Sequence, residues 1–452
     1  MWGLRSMRRS EAVRLAVAIA LAAGAVALIE SFTHGHHHSS ASHPSGSLAG
    51  GLPGAASRHG GQSSAGASGV EGSSSPQGSS SPDSRVAVAG GPAVTRSLQH
   101  GFMTVVIDQP SSDPFAEQNR SITQGADVAV DELNAGGGLT SRHIHLKLLP
   151  QHLDGLSAGR LRSRLRAEAA AVLILPCDSE SQSSLASAAA QSGTLMLAPC
   201  NPDPTAGSQY PTYWPVGTPA NEEAAGLAKF MSLYGYQSAF VISTPGNRYF
   251  ELLTSYFRSA AQKRGIQLTG SGSLSSSSPQ FSSLASAIQS APTSSAIFAA
   301  VAPPLVTRLA AVLAAQGVHR PIAGGAVMDT PRSLSRSTLE NAFFPSNGFP
   351  RDSASARRFA RDYTSRFHVS PAGSFPGLGL ETIRLLAHAV RKAGSAQPSA
   401  IQRALAGGLA LSGVGLADRV YQNGGDHNPV GQVDISKISA RRLAPLVAIT
   451  LP

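Results

Sequence analysis

The stretch Ala171–Thr205, AVLILPCDSESQSSLASAAAQSGTLMLAPCNPDPT, decides the architecture. It holds two apolar runs, Ala171–Leu175 and Thr194–Ala198, each the length of a buried strand. Between them Ser179–Gln191 carries Leu185, Ala188 and Ala189 at helical spacing. Strand, helix, strand is the crossover that a parallel pair requires. Runs without polar alternation suit a sheet covered on both faces. Both runs end in Pro-Cys, at Pro176-Cys177 and Pro199-Cys200. Ligands of open parallel sheets sit beyond the carboxyl ends of strands, where helix amino-termini also point. Residues Cys177–Ser184 and Cys200–Thr205 are therefore expected to form one rim of a binding cleft.

Working outward, the same alternation fills the rest of the chain. Phe102–Ile107 reads as a strand. Asp113-Pro114 opens a helix whose stripe is Ile122, Ala126, Ala129, Val130 and Leu133, stopped by Asn134-Ala135-Gly136-Gly137-Gly138. A strand over His143–Leu149 and an Arg-studded helix over Ser157–Ala170 lead into the opening stretch. After Pro215 a second run of βα units begins: helices at Glu222–Tyr234, Tyr249–Arg264, Pro279–Ser290 and Pro304–Gln316, strands at Ala239–Ser243, Ile266–Leu268, Ala296–Val301 and Pro321–Gly325. Helices at Asp352–Phe367, Gly377–Ala393 and Pro398–Leu405 follow. The end reads as strands Asp418–Gln422, Val430–Ile435 and Leu446–Leu451, with hairpin chemistry at Asn423-Gly424-Gly425-Asp426.

Ahead of these units lie two segments of different character. Residues 1–32 place Arg5, Arg8, Arg9 and Arg14 before the apolar run Leu15–Ile29, the order of an export signal. It serves as an uncleaved membrane anchor, or as a cleaved signal using Ala25-Val26-Ala27; no cysteine follows, which excludes a lipoprotein anchor. Residues 33–100, rich in Ser, Gly and Pro, cannot bury enough surface to offset chain entropy and read as a disordered tether. His34, His36, His37, His38 and His43 within it are solvated side chains or a metal-capturing tract.

With 42% hydrophobic and 14% charged residues, the 452-residue chain can build a sizeable core. The net charge of +10 is spread out, without aromatics interleaved among basic residues, which argues against nucleic acid. The two cysteines, Cys177 and Cys200, follow neighbouring strands; they form a disulfide, or sit unpaired in small pockets. Reaction machinery is missing from the sequence. There is no Gly-x-Ser-x-Gly, no Gly-x4-Gly-Lys-Ser/Thr and no His-Glu-x2-His. A non-enzymatic role with no cofactor and no metal site is expected.

The order of these motifs resembles a known family. "GADVAVDELNAGGGL" at 125–139, "LMLAPCNPDPT" at 195–205, "PIAGGAVMDTPRSL" at 321–334 and "VYQNGGD" at 420–426 are together similar to the type I periplasmic solute-binding proteins of the branched-chain amino-acid (Leu/Ile/Val) receptor kind, which serve ABC importers. The resemblance implies an α/β fold of two doubly wound parallel-sheet lobes joined by hinge strands. Lobe 1 would comprise 101–217 and 345–405, and lobe 2 would comprise 218–344 and 406–452. It also implies closure on a small polar solute, an amino acid or a relative. In the family a hydroxyl after the third strand and backbone groups after the fourth hold the ligand carboxylate. Those positions fall at Asp178 or Ser179, and at Cys200-Asn201. An aromatic and an acid from the second lobe fall at Arg248 or Tyr249 and near Asp329. Asp178, Ser179 and Asp329 have capping as an alternative role. An Asp178 turned into the cleft favours a cationic or polyhydroxyl solute, whereas Arg248 there favours an acidic one. The implied partners are a small polar solute, an ABC permease and, through the N-terminal helix, the extracytoplasmic face of the cell membrane. A membrane-tethered ligand sensor or interaction module using the same fold is the alternative.

Overall fold

A computed structural model describes residues 91–110, 115–140, 143–348, 353–411, 419–422 and 427–451. The expected N-terminal signal or anchor, the His-rich tract, the Asp113-Pro114 cap and the 423–426 turn lie outside these residues. Among the described residues, no helix is long and apolar enough to cross a membrane. The first element is α1, Pro92–Gln99, with Pro at its first turn and Val94 buried. The tether expected to run through residue 100 therefore ends earlier: Val94 joins the core, an apolar contact that the Ser/Gly composition upstream does not offer.

The first sheet takes β1 (Phe102–Asp108), β2 (His145–Gln151), β3 (Ala170–Ile174), β4 (Leu195–Ala198) and β5 (Tyr213–Pro215), all parallel, in the order β2-β1-β3-β4-β5. Its crossovers are α2 (Ala116–Ala135), α3 (Ala158–Ala167) and α4 (Ser179–Gln191), with the short α5 (Ala206–Gln209) before β5. Alternate residues along each strand enter different cores. Val105, Ile107, Val172 and Leu197 pack in one cluster with Ile122 and Ala126 of α2. Val106, Leu173 and Met196 pack in another with Leu161 and Leu165 of α3 and Leu185 of α4. Burial on both faces is why these strands read as unbroken apolar runs.

The second sheet repeats the plan. After α6 (Ala220–Leu233) come β6 (Ser238–Ser243), α7 (Arg248–Lys263), β7 (Gln267–Ser273), α8 (Phe281–Ser290), β8 (Ala296–Ala300), α9 (Pro303–Ala315), β9 (Ile322–Gly324), the short α10 (Pro331–Leu334) and β10 (Phe343–Ser346). The parallel order β7-β6-β8-β9-β10 matches that of the first sheet. Phe240, Ile242 and Ile297 face α8 and α9, while Val241 and Phe298 face the opposite core with Phe250 and Phe257 of α7. The chain then returns to the first lobe with α11 (Ala354–Phe367), α12 (Phe375–Ala393) and α13 (Pro398–Ala406); Ile383 and Leu386 of α12 join the same core as α2. The end adds β11 (Leu409–Leu411), β12 (Arg419–Tyr421), β13 (Val430–Ser439) and β14 (Arg442–Thr450) to the second sheet, β13 antiparallel to β10. The result is two doubly wound α/β lobes linked by crossing segments.

Several elements differ from the sequence reading. β7 extends through Thr269-Gly270-Ser271-Gly272-Ser273, which composition assigns to a loop. A Cβ on Gly270 would reach 2.6 Å from Phe240, and one on Gly272 would reach 2.4 Å from Leu284, so at these two positions the strand lies too close to its neighbours for a side chain. β5, β10 and β11 are three or four residues long and give no periodicity. β13 and β14 are longer than expected and turn through Ala440-Arg441, both left-handed at φ 50° and 61°, without the glycine or asparagine that normally marks such a turn.

Candidate functional site

The carboxyl ends of both sheets face a cavity lined by residues of both lobes. Phe115, Gln118, Cys177, Cys200 and Asn201 come from the first lobe, Glu223, Tyr249 and Val327 from the second. Thr218 and Asn347, on two of the crossing segments, complete it with Phe375. About 20 Å³ is open to the centre of a water-sized sphere, which is room for about one water.

Of the expected first-lobe rim, Cys177, Cys200, Asn201 and Pro202 line the cavity, whereas residues 178–184 and 203–205 do not. Cys177 and Cys200 are joined in a disulfide, linking the ends of β3 and β4. Buried Gln182 of α4 reinforces the link. Its Nε2 donates to Pro176 O at 2.5 Å and Cys200 O at 3.2 Å, while its Oε1 accepts from Tyr213 Oη at 2.8 Å. Asn119 Oδ1 accepts the Cys177 N–H at 2.8 Å, tying α2 to the same corner.

The expected site residues separate into two groups. Cys200, Asn201 and Tyr249 line the cavity. Asp178, Ser179, Arg248 and Asp329 are not among its lining residues. Asp178 caps α4, accepting the Ser181 N–H at 2.8 Å, so its charge serves the helix amino-terminus rather than the cavity. Ser179 is buried at the first turn with its Oγ unpartnered. Arg248 projects away from the cavity: its Nη2 donates to Asp203 Oδ2 at 2.7 Å, an ion pair between the lobes with the Arg side chain 53% exposed. Asp329 is fully buried, and its Oδ2 accepts the Ser374 N–H at 2.7 Å, bridging the second lobe to the turn before α12. Burial pushes the Asp329 carboxyl up to about 6. Two further bonds cross in the same region: Gln118 Nε2 donates to Val327 O at 3.0 Å and Arg332 N to Glu117 Oε1 at 3.1 Å.

Glu223, absent from the sequence expectations, is the acidic side chain of the cavity. It stands in the first turn of α6, just past the crossing at Gly217-Thr218, and is 5% exposed. Its Oε2 accepts the Tyr249 hydroxyl at 2.9 Å and the Ala326 N–H at 3.1 Å. Burial pushes its carboxyl up to about 7 and the Tyr249 hydroxyl well above its ordinary range. Gly325 makes the Tyr249 contact possible, since a Cβ there would meet the hydroxyl at 2.5 Å. The sequence signal was faint: an acidic residue in a first helical turn is ordinarily a solvated partner of the helix dipole.

Asn201 has a determined orientation. Asn428 Nδ2 donates to Pro204 O at 2.8 Å, so Asn428 presents its Oδ1 to Asn201, whose Nδ2 donates to it at 2.7 Å. Asn201 Oδ1 is left buried and without a hydrogen bond. At the crossing itself, Trp214 is 1% exposed and stacks on His427 with centroids 3.9 Å apart and planes 14° apart. His427 Nδ1 donates to Tyr213 O at 2.9 Å. Among the described residues, no group of three or more His, Cys, Asp or Glu side chains is placed to hold a metal ion.

Comparison with known proteins finds the same fold. The leucine binding protein LivK from Thermotoga maritima is similar in structure, with a TM-score of 0.67 at 16% identity, over 77% of this chain and 99% of that one. LivJ from Streptococcus pneumoniae, the substrate-binding protein of a branched-chain amino-acid transporter solved with isoleucine, gives the same TM-score, 0.67, at 16% identity over 77% of this chain and 99% of its own. A solute-binding protein of an R. palustris ABC transporter, solved with benzoate, superposes with a TM-score of 0.65 at 16% identity, over 78% of this chain and 98% of that one. No curated protein sequence matches the chain. The family model described as "Periplasmic binding protein" matches residues 104–442, which is 339 of the 452 residues. The chain belongs to the periplasmic binding protein family.

Proposed function

We propose that the chain is an extracytoplasmic solute-binding protein that captures a small polar solute between its lobes and delivers it to an ABC importer. The observation that carries this reading is the cavity at the carboxyl ends of both sheets. Each lobe contributes a buried polar side chain to it, Asn201 from one and Glu223 from the other. The similar proteins solved with isoleucine and with benzoate hold small molecules in the same frame, which supports a small solute without naming it. Space for about one water means that any larger solute enters with the walls moved apart, as hinge closure allows. The Cys177–Cys200 disulfide and the basic-flanked apolar run at 5–29 support an extracytoplasmic site of action.

The test is thermal unfolding of the full chain against amino acids, amides, ureas, sugars and aromatic acids. A ligand at 100 times its Kd adds about 2.7 kcal/mol of stability by mass action. At least one class should raise Tm in a concentration-dependent manner. A flat response to every class at millimolar concentration refutes the reading.

A further inference from the structure

We infer that the chain carries a second ligand site, at the pole of the second lobe away from the inter-lobe cavity, and that this site takes a neutral sugar chain. The inference is independent of what the inter-lobe cavity holds.

A second cavity opens at the amino ends of β9 and β10, whereas the inter-lobe cavity lies at the carboxyl ends of the same sheet. About 580 Å³ of it is open to the centre of a water-sized sphere, within the range of about 300–1,000 Å³ usual for small-ligand sites. Its floor is apolar and buried, made by Leu313 of α9, Ile322 of β9, Leu339 and Ala342. Tyr236 contributes an aromatic ring to the wall. Gly235, at φ 81°, turns the chain out of α6 between Tyr234 and Tyr236. Tyr236 packs on buried Phe343, with centroids 5.2 Å apart and planes 30° apart. Tyr234 packs on buried Phe230 at 4.4 Å and 29°, and remains 57% exposed. Phe230 and Phe343 are themselves 5.1 Å apart, so the four rings brace one another before any ligand arrives. Aromatic faces carry partial negative charge and attract the C–H face of a pyranose.

The turn 337–342 forms another wall, and its backbone is tied. Leu339 N donates to Arg336 O at 3.1 Å, Glu340 N to Ser337 O at 3.1 Å and Ala342 N to Leu339 O at 2.9 Å. Asn341, left-handed at φ 65°, donates its N–H to Ile438 O at 2.8 Å. Ser337, Thr338 and Asn341 line the cavity with exposed side chains that make no hydrogen bond among the described residues. Their hydroxyl and amide groups both donate and accept, as sugar hydroxyls do, and so does the neutral imidazole of His319 on the same rim. The charged groups of the wall are committed. Glu340 Oε1 accepts the Ala440 N–H at 3.0 Å. Arg320 Nη2 donates to Ala291 O at 2.6 Å and Gln289 O at 3.3 Å, and its Nη1 is buried. One anion offsets one cation, so a charged ligand gains no net attraction. Braced rings, a fixed turn and hydroxyl-like side chains over an apolar floor match a molecule with C–H faces and a hydroxyl rim.

Full-length chain is titrated at pH 8 with cellotriose, maltotriose and tri-N-acetylchitotriose, with trigalacturonate as the acidic sugar and with trilysine as a cationic peptide. Calorimetric affinity and Tm are read. At least one neutral trimer should bind, and trigalacturonate and trilysine should bind at least about tenfold more weakly. Tyr236→Ala, which removes the ring from the wall, should lower the affinity for that trimer about tenfold. Ala314→Gln, at an exposed position of α9 on the cavity wall, keeps the helix and puts a longer neutral side chain at the opening; it should weaken the same trimer and decides the matter if Tyr236→Ala fails to fold. A sugar response lost in Ala314→Gln belongs to this pole and not to the inter-lobe cavity. Neutral-trimer binding that survives both substitutions overturns the inference, as does tighter binding of trigalacturonate or trilysine. Absence of sugar binding overturns it as well, and a dimer in sedimentation that Ala314→Gln dissolves would then assign the pole to a second copy of the chain.

Discussion

Replacing both bridged cysteines, in Cys177→Ser/Cys200→Ser, should lower the stability of the chain by about 3.4 kcal/mol. The figure comes from loop closure: the bridge joins residues 23 positions apart, and constraining a loop of that length in the unfolded chain is worth about 3.4 kcal/mol at 25 °C. The cysteines sit at the ends of two strands that pair directly, Ile174 opposite Leu197, and Gln182 holds both ends by hydrogen bonds that do not need the bridge. The fold should therefore survive the substitution, and the loss should appear mainly as a lower midpoint. At roughly 2–4 °C per kcal/mol for a chain of 150–250 residues, the fall is at most roughly 7–14 °C. The assay is thermal unfolding of the native and variant chains with and without reductant, with thiol alkylation to verify reduction. Native chain in reductant should unfold with the variant, and the variant should ignore reductant. Native chain that is demonstrably reduced yet unfolds at its oxidised midpoint would refute the reasoning.

Other outcomes follow from the same geometry. Glu223 and Asp329 are raised by burial to about 7 and about 6, and Asp108 to about 6, from ordinary values of 4.5, 3.8 and 3.8. Across roughly pH 4–7 the folded chain therefore holds protons that the unfolded chain releases, so unliganded stability falls as pH rises through this window. Glu223 alone accounts for about 3 kcal/mol at 1.36 kcal/mol per unit. Urea midpoints should drop between pH 5 and pH 8, less steeply in Glu223→Gln; a midpoint that climbs with pH contradicts the assignment. Asp329→Ala removes the acceptor of the buried Ser374 N–H, which should cost about 1.5–3 kcal/mol by thermal unfolding. Gly373→Ala should act in the same direction: the residue has φ 73°, and a Cβ would lie 2.4 Å from Asp329 Oδ1. An unchanged midpoint in either variant removes this bridge from the account of lobe contact. Arg248→Ala, breaking an exposed ion pair, should change stability by less than about 1 kcal/mol. A larger loss in 150 mM salt would mean the pair is shielded from solvent.

The two-lobe plan was legible because the central strands are buried on both faces. Ala171–Leu175 and Thr194–Ala198 carry no polar residue inside the run except Thr194, and such runs announce parallel strands. That Cys200 and Asn201 would line a cavity was legible because such sheets place clefts beyond the ends of strands, while the placing of Tyr249 there came from the family resemblance, which left Arg248 as its alternative. What stayed hidden depended on long-range partners. Glu223 looks like a helix-start acid until Ala326 and Tyr249, at separations of 103 and 26 residues, are seen to hold it. Arg248 looks like a cleft cation until Asp203, 45 residues away, turns it outward. Asp329 looks like the acid of the pocket until Ser374 claims it. The glycine-serine strand β7 and the Ala440-Arg441 turn escaped for a related reason: local propensity opposes both, and packing against Phe240 and Leu284, and the pairing of Ser439 with Arg442, override it.

The stack of Trp214 on His427 gives the molecule a built-in optical reporter. The chain has two tryptophans, and the other, Trp2, lies far from the crossing in sequence. Excluded from water, Trp214 should emit at short wavelength, and its yield should depend on the imidazole lying against its face. Any solute that shifts the crossing alters that contact, so capture should register as a change in intrinsic fluorescence without a label. Trp214→Phe should silence the change; a solute response that persists in that variant would place its source elsewhere.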